Sequence, residues 1–347
     1  MALTTAPIKS PPATVCDWAE LKALSDPRGQ VRLNDLRRLW DTNRESEDTD
    51  PEGLTAKEED TDRDAVSGGD EDRFFDSIEG EIGDRIQALG DSYPFRISHG
   101  SRLGVVGPPT DGGFMYLFCL FLSYANGKEL LDGTWLPRVD NSVRDLFQAC
   151  ATLAAAAYVG GCSVSFGWPR PTREPFLEKL REVYTLFGEG NVVDTARPGV
   201  SPWVKDEEID VIAWRPMADR GAGTMYLLGQ VASGDNWEGK SIKGGPIDSF
   251  HHNWFRPPPP SVAQSAIFIP HAVPPVQMSG TRRERLAAIT VRFGTVFDRL
   301  RLPAATQKGL DLHNEQRQNV RIERVDDIAV IGHWVNEQIV SLQGAAR

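Results

Sequence analysis

Apolar positions recur at helical spacing in several separate windows of the chain. Between Phe74 and Leu89, the residues Phe75, Ile78, Ile82, Ile86 and Leu89 follow one another at steps of three and four, which predicts a helix with one buried face. The same pattern predicts helices over Ser142 to Tyr158, where Ala154 to Ala157 would let a neighbouring backbone approach closely, over Phe176 to Phe187, stopped by Gly188 and Gly190, and over Ile328 to Leu342. Trp18 to Trp40 carries Leu21, Leu24, Leu33, Leu36 and Leu39 near helical spacing, but Asp26-Pro27-Arg28-Gly29 interrupts it, so two short helices are expected. Phe114 to Leu122 is apolar throughout and reads as a buried helix or a buried strand.

A different pattern begins after residue 205. Ile209 to Trp214 and Met225 to Ala232 are rich in β-formers, and Asp219-Arg220-Gly221 between them has turn chemistry, so paired neighbouring strands are expected. Ala266 to Pro270 reads as a short buried strand, and Thr281 to Leu300 mixes helix and strand character. His251 to Pro260, with four consecutive prolines, reads as a loop. Helices covering a mixed sheet define the expected class as α/β.

Composition changes this picture at one place. The chain has 347 residues and a net charge of -11, and the segment from Asp41 to Asp72 holds 14 acidic against 3 basic residues, which accounts for the whole imbalance. That segment has almost nothing to bury and reads as a flexible linker. The remainder is electrically balanced, so a polyanionic partner is not excluded. Cys16, Cys119, Cys150 and Cys162 show no metal or redox spacing and are expected to be free thiols. The opening MALTTAPIKSPP lacks a signal pattern and no apolar run approaches the ~20 residues that span a bilayer, so a cytoplasmic protein without a membrane partner is expected.

Candidate chemistry concentrates between Lys205 and Lys243. Asp210 stands at the head of an apolar strand, a position that Asp ordinarily disfavours, and Gln230 lies near the end of the next strand, just before the polar loop Ser233-Gly234-Asp235-Asn236-Trp237. Glu208, two residues before Asp210, would share its strand face. His251-His252 has no third ligand at zinc spacing and reads as part of a polar loop. Gly188-Glu189-Gly190 lacks the Lys-Ser/Thr of a phosphate loop. Arg282, Arg283 and Arg285, with Arg292, Arg299 and Arg301 beyond them, form the densest basic stretch and are candidates for phosphate contact.

The Asp210 and Gln230 arrangement resembles the PD-(D/E)XK restriction-endonuclease-like superfamily, in which an Asp opens one strand and a Glu or Gln, followed two residues later by Lys, lies on the adjacent strand. The resemblance spans Leu146 to Lys243. It implies a restriction-endonuclease-like mixed sheet flanked by helices, and a Mg²⁺ (or Mn²⁺) held by Asp210, Gln230 and the carbonyl of Val231. The position of the family's Lys is Ala232 here, so the resemblance shifts that role to Lys240 or Lys243 in the following loop. Gln148, in a Phe-Gln pair where related nucleases often show Phe-Glu, Glu178 or Glu182 on the adjacent helix, and Glu208 are further ligand candidates. KDEEIDVIAW, GQVASGDNW, AIFIPH and VFDRLRL are also similar to stretches of uncharacterised bacterial proteins found near anti-phage systems.

On this basis residues 1–40 are expected to form a helical N-terminal segment, 41–73 an acidic flexible linker, 74–140 a mainly helical subdomain, and 141–347 a nuclease-like α/β domain. The expected activity is metal-dependent hydrolysis of DNA phosphodiester bonds in antiviral defence or a mobile-element setting, with RNA as an alternative substrate. Defence-system proteins or a second copy of the chain are the expected protein partners. The missing Lys supports a second reading, a catalytically silent nucleic-acid-binding or scaffold subunit.

Overall fold

The computed structural model describes residues 2–36, 60–98, 101–125, 129–170, 174–201, 203–273, 281–316 and 318–346. They form two compact units, the first made of 1–109, 124–137 and 336–347, the second of 110–123 and 138–335. The expected linker over 41–59 and much of the second short helix before Trp40 lie outside the described residues.

In the first unit, helix α1 (Pro12–Ser25) packs on helix α2 (Asp60–Leu89) beside a three-stranded antiparallel sheet. That sheet has the order β1 (Gln30–Arg32), β3 (Arg102–Val105), β2 (Phe95–Ser98). Helix α2 starts fourteen residues before the expected Phe74, so the end of the expected linker is helical. The periodic stretch from Phe75 to Leu89 anchors the helix, and once nucleated a helix extends at low cost through a stretch with no apolar pattern of its own. The unit is pinned by one buried cation. Arg85 donates from Nη1 to Asp17 Oδ1 and Glu20 Oε1, both at 2.7 Å, and from Nε to Glu81 Oε1 at 2.9 Å. The hydroxyls of Tyr93 and Tyr124 donate to Glu20 Oε1 and Asp17 Oδ2, each at 2.6 Å. A buried charge network is tolerated only when its members are satisfied in this way.

The second unit is built on a five-stranded mixed sheet with strands in chain order: β4 (Cys162–Ser165), β5 (Val211–Trp214), β6 (Tyr226–Val231), β7 (Ala263–Phe268) and β8 (Thr295–Phe297). The first three are antiparallel neighbours, and β6, β7 and β8 run parallel. Helix α3 (Asp111–Ser123) is the apolar run, so the choice between helix and strand resolves to helix. Helix α4 (Asn141–Val159) packs on β4, β5 and β6. The Asp140 carboxylate caps its start by accepting from Val143 N at 2.9 Å, and Gly160 in the left-handed conformation ends it. Helix α5 (Phe176–Phe187) has the bounds its periodicity implies.

Helix α6 (Gly245–Trp254) corrects the expected loop over His251 to Pro260, since His251 and His252 lie in its last turn. The neighbouring prolines masked an amphipathic face of about two turns carried by Ile247, Phe250 and Trp254. Helix α7 (Arg282–Phe293) leads into β8, and helix α8 (Leu302–Gln316) lies on α3 and α4. Helix α9 (Asp327–Ala346) covers the expected terminal helix. Gly309 of α8 meets Leu153 so closely that an added Cβ would stand 2.2 Å from the Leu153 carbonyl oxygen. Among the described residues no helix is long and apolar enough to cross a membrane. All four cysteines are buried and free.

Candidate functional site

Asp210 is the residue immediately before β5, and the loop leading to it is held by its own polar atoms. Asp206 accepts from Glu208 N and, across the loop, from Trp168 N, both at 3.1 Å, while Glu207 accepts from the indole of Trp254 at 3.1 Å. Glu207 and Glu208 have φ of 53° and 65°, the left-handed conformation that makes the chain turn sharply into the strand. Val211 is the registered partner of Gly229, yet Asp210 N also donates to the Gly229 carbonyl at 2.8 Å. Two residues therefore face one, the pattern of a β-bulge, which redirects the side chain at the strand head.

The redirected carboxylate is met from three sides. Its Oδ2 accepts from Val231 N at 2.7 Å. Its Oδ1 lies over the bare Cα of Gly167, where an added Cβ would stand 2.3 Å from Asp210 Oδ1 and 2.6 Å from Gln148 Oε1. Gln148 reaches this place from α4 and donates through Nε2 to Ser165 Oγ at 2.7 Å and to the Asp210 carbonyl at 3.2 Å. The bond to the Asp210 carbonyl sets which end of the amide is nitrogen, and both ends of the amide lie near the same point over Gly167, where an added Cβ would also stand 2.9 Å from Nε2. Among the described residues no hydrogen-bond donor reaches Oδ1. Two acceptor oxygens, Asp210 Oδ1 and Gln148 Oε1, thus lie close to one point over Gly167.

The electrostatics follow from that enclosure. Asp210 as a residue keeps partial contact with solvent, but burial of its carboxyl raises its pKa from 3.8 to about 7, partly offset by the Val231 N–H. Asp206 and Glu208 push it up further, whereas the Lys240 charge pulls it down, so Lys240 lies within electrostatic reach of the carboxylate.

The other expected site residues are distributed as follows. Gln230 is 6% exposed, and its Oε1 has no hydrogen-bond partner among the described residues. Alternation along β6 sends its side chain to the opposite face from Gly229 and Val211, hence away from Ser165 and Gln148. Among the described residues no bond joins Gln230 to Asp210, whereas Gln148 bonds the Asp210 carbonyl, and the bulge is the physical reason for the difference. Val231 meets Asp210 through its N–H. Glu208 is exposed and acts on Asp210 only through its field. Ala232 is 1% exposed within an apolar cluster containing Trp237, Ile267 and Phe293, where burial would penalise an ammonium. Lys243 does not turn to the site: its Nζ donates to Val291 O at 2.9 Å at the end of α7.

Glu178 is exposed, and Glu182 is engaged by Lys179 and Arg321. Arg282 binds both oxygens of Asp298 at 2.7 Å and Arg285 pairs with Glu238 at 2.9 Å, while Arg283 is exposed. His251 meets the Tyr226 hydroxyl at 3.2 Å and His252 meets Arg197 at 2.8 Å. Among the described residues no three His, Cys, Asp or Glu side chains gather as a metal-binding group.

Sequence reasoning missed Ser165, Gly167 and Asp206. The glycine just past a short buried strand was the available signal, since glycine there marks close approach of another group. No family model matches the chain, and no curated protein or solved structure matches it either.

Proposed function

We propose that this chain is a nuclease-like protein of the PD-(D/E)XK kind that hydrolyses phosphodiester bonds of DNA at a centre formed by Asp210 and Gln148. The observation that carries the reading is the gathering of two acceptor oxygens, Asp210 Oδ1 and Gln148 Oε1, near one point over Gly167, with no hydrogen bond to Oδ1 among the described residues. Such a pair is relieved by a proton or by a hard cation, and an oxygen-only donor set on a mixed α/β scaffold suits Mg²⁺ or Mn²⁺. Asp210 and Gln148 would hold the ion, and the missing Cβ of Gly167 leaves the approach open.

When bound, the ion would supply polarisation of the phosphate and a lowered pKa for an attacking water. The chain's own contribution is positional. Val231 N–H fixes one carboxylate oxygen, Ser165 orients the Gln148 amide, and Lys240 supplies positive charge toward the phosphate. The local excess of Asp206, Glu208 and Asp210 would repel a phosphodiester unless a cation intervened, which agrees with a metal requirement. An antiviral or mobile-element setting follows from the sequence resemblance alone.

A second reading has its own support. Ala232 inside an apolar cluster and Gln230 on the opposite face depart from the superfamily pattern, and both favour a silent nucleic-acid-binding module. Purified chain is incubated with plasmid, linear DNA and RNA, with Mg²⁺, with Mn²⁺ and with chelator, beside Asp210→Asn and Gln148→Ala. Metal-dependent cleavage lost in both variants is expected. Equal cleavage by wild type and Asp210→Asn excludes this centre, and binding without cleavage selects the silent module.

A further inference from the structure

Gly167 is followed by Trp168, whose indole is 44% exposed although its backbone N–H is bound to Asp206 beside the candidate site. An exposed indole is unremarkable if it is loosely held, but this one has a rigid backing. The guanidinium of Arg170 lies 5.6 Å from the Trp168 ring centroid and 4.9 Å from that of Phe166, and Arg170 itself is only 2% exposed. Arg170 donates to the carbonyl of Glu174 at 3.0 Å and to that of Lys205. The bond to Lys205 ties in a second segment, which carries the exposed Lys205 and Trp203, an indole 90% exposed. Two open aromatic rings and one cation thus stand on segments bound to each other and to the loop that delivers Asp210.

We infer that Trp168, seated on Arg170, is a stacking platform for an unpaired nucleobase, and that the polynucleotide handled at Asp210 is single-stranded there. The inference rests on the proposed function for the identity of the ligand as a polynucleotide and adds its strand state. A base inside a duplex already stacks on its neighbours, so a single exposed ring gains little from it. A splayed base has a free face, and stacking on an aromatic ring is insensitive to base identity. Because Arg170 is fully buried and held by two carbonyls, the indole does not have to be ordered on binding, which removes part of the entropic cost. The exposed Lys205, whose carbonyl Arg170 holds, supplies charge for the backbone phosphates.

The test is equilibrium binding by fluorescence anisotropy with Mn²⁺ present, on the full chain carrying Asp210→Asn to prevent cutting. Four labelled probes are used: a single-stranded DNA, the same sequence as RNA, its DNA duplex, and a strand of abasic sugar-phosphate units. Trp168→Ala is expected to weaken binding of both base-bearing single strands on the order of tenfold and to leave the duplex and abasic strand unchanged. Trp168→Phe, which keeps a stacking face, is expected to restore most of the affinity. Unchanged single-strand affinity in Trp168→Ala, or an equal loss on the abasic strand, overturns the inference. Cleavage by wild type with no effect of Trp168→Ala on single-strand affinity defeats this inference and leaves the nuclease reading standing. Trp168-dependent single-strand binding without wild-type cleavage does the reverse.

Discussion

Asp210 and Gln148 meet above Gly167, joined by a bond from the Gln148 amide to the Asp210 carbonyl, although one stands at a strand head and the other in the middle of a helix. The amide of Gln148 cannot turn round without setting its oxygen against the Asp210 carbonyl, and the carboxylate is held by Val231 N–H. Burial of the carboxylate favours a species that neutralises it, a proton or a cation.

The first consequence is an unusual dependence of stability on pH. With a folded pKa of about 7 against 3.8 ordinarily, Asp210 keeps a proton in the folded chain that the unfolded chain has released. Stability is therefore complete at low pH, falls as pH rises through that window and levels off above it. Asn at this position keeps an acceptor for Val231 and offers an N–H to Gln148. Asp210→Asn is expected to be more stable than wild type by on the order of 2 kcal/mol at about pH 8, and by much less at about pH 5. Urea denaturation at the two pH values checks this; a pH-independent difference would show that the carboxylate is not the source. Mn²⁺ should raise the wild-type melting temperature and leave the variant unmoved.

Gln148→Glu places a second carboxylate against the first. Without metal, two such groups share one proton, so the variant should lose roughly 1–3 kcal/mol at neutral pH. With Mg²⁺ or Mn²⁺ the added charge should enlarge the thermal stabilisation beyond that of wild type. Calorimetric titration with Mn²⁺ measures the same gain directly. An unaltered metal response would remove Gln148 from the site.

Lys240 and Lys243 separate by function. Lys240 acts on Asp210 through its field, so Lys240→Ala should lower metal-dependent cleavage by on the order of a hundredfold with little change in melting temperature. Lys243 occupies the end of α7 through Val291 O, and its loss should cost about 0.5 kcal/mol of stability without affecting cleavage. The reverse assignment in cleavage rates would contradict the geometry.

In the first unit, Arg85→Met leaves Asp17 and Glu20 buried without their cation. The expected loss is about 3–5 kcal/mol, read from urea unfolding followed by circular dichroism. A loss below ~1 kcal/mol would mean that the carboxylates find other partners.

Part of this architecture was legible one residue at a time. Helix α5 begins and ends where its apolar period does because Gly188 terminates it, and α4 is framed by Asp140 and Gly160. The strands β5 and β6, and Asp210 as an acid at a strand head, followed equally from local pattern, since period and capping are properties of neighbouring residues. Helix α6 escaped notice because the prolines beside it dominate its short apolar face.

What only the tertiary structure decided is which side chain meets Asp210. Strict alternation would set Gln230 opposite it. The bulge at Gly229 adds one residue to the count, and one residue is enough to move a side chain to the other face of a sheet. Gln148 then arrives through the packing of α4 on β4 and β5, while Lys243 is drawn to the carbonyls ending α7. Sequence alone determined that an acid would stand at that strand head, but its partner depends on backbone hydrogen bonds and helix packing between residues distant in the chain, which no local pattern encodes.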